Sequence, residues 1–154
     1  MIKVFVALLI FAINLHAISK NDVMGNWQAF GRTLNNGTET IEKEYLTLNR
    51  NQTFSLVLLV SVKKDEAFVK DLRIEVSGIW DSKDSTLVYV IKSINVPVAK
   101  EVYRISQNSL ENLAANFKYK YESDAIHIST IKYMDRANMS VVSEKGRETK
   151  YKRY

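Results

Sequence analysis

From residue 26 onward, apolar and polar side chains alternate with a period of two, so the sequence predicts strands rather than helices. Residues 116–122 alternate most cleanly: Phe117, Tyr119 and Tyr121 share one face, and Lys118, Lys120 and Glu122 the other. That is the pattern of a half-buried strand. Over 53–62, Phe54, Leu56, Leu58, Val60 and Val62 share a face, while Val57 and Leu59 make the middle of the opposite face apolar as well. Leu72, Ile74, Val76, Gly78 and Trp80 fall together, opposite Arg73, Glu75, Ser77 and Ile79. Residues 86–91 and 101–105 are rich in β-branched and aromatic side chains, which suit strands. Residues 107–115 predict at most a short helical turn.

Short polar stretches separate these runs, at 49–52, 81–85, 122–124 and 144–146. Breaks this short favour antiparallel hairpins, because a parallel crossover needs a dozen or more residues. Three Asn-x-Ser/Thr triplets, at Asn36, Asn51 and Asn138, read as turn chemistry. The longer break at Asn95-Val96-Pro97 holds the chain's one proline. Eight to ten short strands in sequence order leave two edges and a greasy face unless the sheet closes. The expected fold is therefore all-β, an antiparallel up-and-down barrel. A two-sheet β-sandwich is the alternative.

The start of the chain reads differently. Lys3 precedes a nearly continuous apolar run from Val4 to Leu15, and Leu15-His16-Ala17 offers a small-residue cleavage site. This order is that of a secretory signal peptide, and the run is shorter than a membrane span requires. Residues 1–17 are thus expected to be a signal, and 18–154 a single domain. Removing residues 1–17 takes away one lysine and no acid, lowering the net charge from +5 to +4. The chain has no cysteine, whereas small secreted animal domains usually depend on disulfides. A bacterial envelope, periplasmic or secreted, is the expected location. A membrane barrel fits poorly: in residues 147–154 both alternating faces carry charge, and neither suits hydrocarbon.

Gly25-Asn26-Trp27 at the entry to the first strand resembles the Gly-x-Trp signature of lipocalins and lipocalin-like bacterial envelope domains. Residues 46–54, the Ser77-Gly78-Ile79-Trp80 and Asp84–Leu87 stretches, and the ending Tyr151-Lys152-Arg153 are similar to hairpins and to the closing strand of those domains. The resemblance covers most of 24–154. It implies a barrel whose signature Trp27, with Gly25, packs at the closed end beneath a basic residue of the last strand, Arg153 or Arg147. That role is structural.

The chain is poor in catalytic parts. His127 is the sole histidine after residue 17, and it sits between Ile126 and Ile128, so it reads as a solvent-facing strand residue. No spacing suggests a metal site, no glycine-rich phosphate loop occurs, and no cofactor is implied. Neither an enzyme nor a nucleic-acid partner is expected, because the basic residues near the end alternate with acids as on a surface strand. The aromatic supply points instead to ligand binding. Phe54, Leu56, Trp80, Tyr89, Tyr103, Phe117, Tyr119 and Tyr121 are the interior candidates. Such side chains either fill a small barrel or line a cavity for one small hydrophobic or amphipathic molecule. The other reading is a filled barrel acting as an interaction or inhibitor module, whose loops 63–67 or 93–99 contact an envelope or host protein. An enzyme with a site at the barrel mouth is a weaker third.

Overall fold

The computed structural model of the chain describes residues 17–97 and 101–154. The expected signal at 1–17 lies outside these residues except for Ala17. A four-residue helix, α1 (Lys20–Val23), leads into five long strands: β1 (Gly25–Asn35), β2 (Thr38–Leu48), β3 (Thr53–Lys64), β4 (Ala67–Lys83) and β5 (Thr86–Asn95). A three-residue strand, β6 (Glu101–Tyr103), and a 16-residue helix, α2 (Gln107–Glu122), follow. The chain ends with β7 (Ile126–Met134), β8 (Asn138–Ser143) and β9 (Glu148–Arg153).

All the pairings are antiparallel, and each barrel strand pairs with its neighbours in order from β1 to β5, then β7, β8 and β9. The last pairs back onto the first, Trp27 with Arg153 and Gln28 with Lys152, so eight strands close into a barrel. The extra strand β6 pairs with Phe68–Lys70 of β4, beyond the reach of β5, whose pairing starts at Glu75.

Local chemistry sets the hairpins. Asn36 and Gly37 both hold positive φ, at 49° and 76°, in the two-residue turn between β1 and β2. That is the Asn-Gly preference of turns whose twist matches the strands. In β4 a bulge at Asp71, whose φ is 51°, opposes Ser61, and its amide donates to the Ser61 Oγ at 3.0 Å. The bulge shifts the alternation by one residue, so Val69 and the even-numbered run Leu72, Ile74 and Val76 all reach the core.

The core is one continuous cluster. At one end Trp27 is fully buried, and its indole N–H donates to the Val23 carbonyl at 2.8 Å. Trp80, also buried, donates to the Asn49 carbonyl at 3.0 Å. Each ring thus buries its apolar body and still satisfies its one donor. A Lys20–Asp81 ion pair ties α1 to β4 beside them.

Residues 116–122 form the second half of α2 rather than a strand, and the helix extends well past the short turn expected over 107–115. Ser106 caps it, its side chain accepting from the Ser109 amide. Leu110, Leu113, Phe117 and Tyr121 then repeat at three- and four-residue spacing and face the core. The period-two aromatics are therefore split. Phe117 and Tyr121 turn inward, while Tyr119 projects into solvent at 72% exposure.

Candidate functional site

The barrel interior is not completely filled. A cavity of about 130 Å³ remains between β2, β3, β4, β5, β7, β9 and the end of α2. Its apolar wall is Leu46, Phe54, Leu56, Val76 and Ile91, and its polar groups are Tyr89, Tyr121, His127, Ser129 and Tyr151. Phe54 and Tyr89 meet edge to face, with centroids 5.1 Å apart.

Pairing explains how each polar group comes to face inward. His127 sits opposite Tyr89, and Ser129 opposite the fully buried Leu87. Directly opposed residues of an antiparallel pair share a face. His127 is therefore inward, contrary to the solvent-facing reading of the sequence, and its isoleucine neighbours Ile126 and Ile128 are the exposed ones. Its Nε2 is buried without a hydrogen-bond partner. An unpaired buried polar atom costs about 1–3 kcal/mol.

The sequence candidates divide. Phe54, Leu56, Tyr89 and Tyr121 line the cavity; Trp80, Phe117, Tyr119 and Tyr103 do not. Trp80 is committed to Asn49 at the barrel end. Phe117 packs against the core from α2. Tyr103 is 48% exposed on β6, stacked on Phe68, with the Arg104 guanidinium 5.3 Å from its ring centroid.

The two basic candidates also separate. The Arg153 guanidinium lies 4.0 Å from the Trp27 ring centroid and donates to the carbonyls of Asp22, Met24 and Arg136. Gly25 makes this possible: its φ is +127°, and a Cβ there would stand 2.3 Å from Arg153 Nη1. Arg147 is elsewhere. It bonds Glu42 at 2.5 Å and approaches Glu44 at 3.9 Å.

Glu42 and Glu44 are the residues sequence reasoning missed. They share the inward face of β2 with Leu46 and Leu48, and that pair of acids in register with buried leucines was the available signal. Tyr151 links them to the cavity: it lines the wall, and its hydroxyl donates at 2.7 Å to Oε2 of Glu44, which lines the neighbouring groove. Burial raises the Glu44 carboxyl above its ordinary pKa despite Tyr151 and Arg147. Burial, with the negative charge of Glu44, likewise pushes the Tyr89, Tyr121 and Tyr151 hydroxyls well above the usual tyrosine range, so all three keep their protons at neutral pH.

Beyond Gln28–Lys152 the strands β1 and β9 pair no further. The gap is a groove of about 270 Å³ whose lining includes Gly31, Glu42, Glu44, Arg147 and Thr149. It gives the half-buried carboxylates a polar approach from the side of the barrel.

Among the described residues no cluster of three or more His, Asp or Glu could hold a metal, and no helix is long and apolar enough to cross a membrane. Fold and site together define a closed eight-stranded antiparallel barrel with a small mixed-polarity cavity. No protein-family model matches the chain, and no curated protein matches it in sequence.

Proposed function

We propose that this protein is an exported, lipocalin-like barrel that binds one small amphipathic molecule in its interior. The observation behind this reading is the cavity itself, lined by five apolar side chains together with three tyrosines, a serine and His127 with its unpaired Nε2. A dry engineered cavity of about 150 Å³ is large enough for benzene. A space of about 130 Å³ therefore suits a single ring or a short chain rather than a long acyl tail. The lipocalin-like reading is supported by the meander topology and by Trp27 beneath Arg153, although a helix between β6 and β7 is a departure of this chain. Export is inferred from the charged and apolar order of residues 1–17. The binding reading predicts saturable shifts of the Tyr89, Tyr121 and His127 ring signals when p-cresol is titrated in. Leu56→Trp, which fills the cavity, abolishes them. No shift with p-cresol, together with a clean apo mass in native mass spectrometry of protein from its own compartment, refutes it.

A second reading, a protein-interaction module, has one observation in its favour. Ile79, Val88, Val90, Ile126 and Ile128 adjoin one another across β4, β5 and β7 on the outer wall, with the three isoleucines 42–56% exposed. Contiguous exposed apolar surface often marks an interface. Under this reading one stoichiometric protein partner is pulled down by the native chain and lost with Ile126→Ser/Ile128→Ser.

A further inference from the structure

We propose that the ligand is a small amine, its protonated nitrogen held where Tyr151 meets Glu44; this rests on the binding reading above. The Tyr151–Glu44 contact favours a ligand group that donates, while the Tyr89, Tyr121 and Ser129 hydroxyls of the same wall can donate or accept. Tyr151 has spent its proton on Glu44 at 2.7 Å, so its oxygen has only lone pairs left to offer the cavity. A ligand group that meets it must donate. An ammonium supplies three donors and no acceptor, whereas a carboxylate brings only acceptors.

Charge balance points the same way. Arg147 is bound to Glu42, and it stands 3.9 Å from Glu44. Lys120, the other cation acting on Glu44, sits on the exposed side of α2. Glu44 itself is largely buried, its side chain 16% exposed. It is the undermatched charge of the site, because Glu42 and Glu44 share the one guanidinium of Arg147. An arriving cation relieves the shortage; an anion aggravates it.

The apolar part of the site suits the same ligand class. Phe54, Tyr89, Tyr121 and Tyr151 surround the space. Aromatic rings attract cations through their negative faces and accommodate an aryl or alkyl body equally well. The unpartnered His127 Nε2 is a further polar atom in the wall.

Three probes of one shape separate the possibilities: phenethylamine, 2-phenylethanol and 3-phenylpropanoate, each titrated into the wild-type protein by calorimetry. The expected order has the amine at least about tenfold tighter than the alcohol and the carboxylate weakest, since one charge-assisted contact is worth about that factor. Glu44→Gln should weaken the amine more than the alcohol and so erase the preference for the amine. If the alcohol or the carboxylate binds as tightly as the amine, the inference fails and the binding reading stands. Binding of none of the three while p-cresol still binds ends the inference alone; if p-cresol is silent as well and the native mass is clean, the binding reading goes with it. The wild-type order needs no variant, so it decides the matter even where Glu44→Gln does not fold.

Discussion

Replacing Arg153 by Met isolates the contribution of the closing strand to the barrel end. The methionine keeps an apolar stem over Trp27 but removes the guanidinium. Three hydrogen bonds disappear: to Met24 O at 2.6 Å, Asp22 O at 2.8 Å and Arg136 O at 2.8 Å. Charged hydrogen bonds contribute about 1.5–3 kcal/mol each when sheltered. Only the Met24 contact is partly buried, so we take about 1.5 kcal/mol for it and about 0.5 kcal/mol for each exposed one. The cation over Trp27 adds about 1 kcal/mol. The expected loss is about 3–4 kcal/mol, read as a lower urea midpoint at unchanged m-value, or a Tm lower by about 10 °C for a chain of this size. Arg153→Lys keeps the charge but not the three-way fork, and should lose about half as much. A change below about 0.5 kcal/mol for Arg153→Met would refute the claim that Arg153 locks β9 and α1 onto Trp27.

Other outcomes test other parts of the fold. Gly78→Ala should cost more than about 3 kcal/mol or prevent folding, because its Cβ would lie 1.9 Å from the Val90 carbonyl oxygen, a backbone atom that cannot move aside; urea melts decide. Gly25→Ala should weaken the protein by a smaller amount, about 1–2 kcal/mol, through positive φ and displacement of Arg153. Glu44 binds its proton more tightly folded than unfolded, so its contribution is fully present below the ordinary carboxyl value of 4.5 and is lost as pH rises through the higher folded pKa. Glu44→Gln should therefore flatten the fall in stability across that window, measured by urea midpoints from about pH 4 to about pH 7. Leu110→Ala should cost about 2–3 kcal/mol and lower hydrogen-exchange protection along α2; protection unchanged would mean that the helix does not depend on its core-facing stripe.

Much of the architecture was legible because a strand's two faces are written locally. The alternation in β3 and β4 identified Phe54, Leu58, Val60, Leu72, Ile74, Val76 and Trp80 as neighbours on one face, and all are buried. The short polar breaks at 49–52, 81–85 and 144–146 are hairpin turns of a meander, whereas 122–124 joins α2 to β7. Local patterns failed where two periods coincide. Seven residues with aromatics at every second position also fit a helix, and over 116–122 the wider stripe from Leu110 to Tyr121 and the Ser106 cap prevailed. The chemistry of the cavity was less legible still. His127 looked outward because isoleucines flank it, yet the face of β7 is set by what β5 places opposite it.

The sequence by itself determined the predominance of strands, the turns at 49–52, 81–85 and 144–146 and the buried faces of the long hairpins, since each depends on neighbours within a few residues. Only the tertiary structure decided which side of β7 faces the interior and that Tyr119 leaves it. Tertiary structure also brought Glu44 and Tyr151, 107 residues apart, to share a hydrogen bond. These depend on register and closure, which are settled jointly by all eight strands as they bury the largest apolar area.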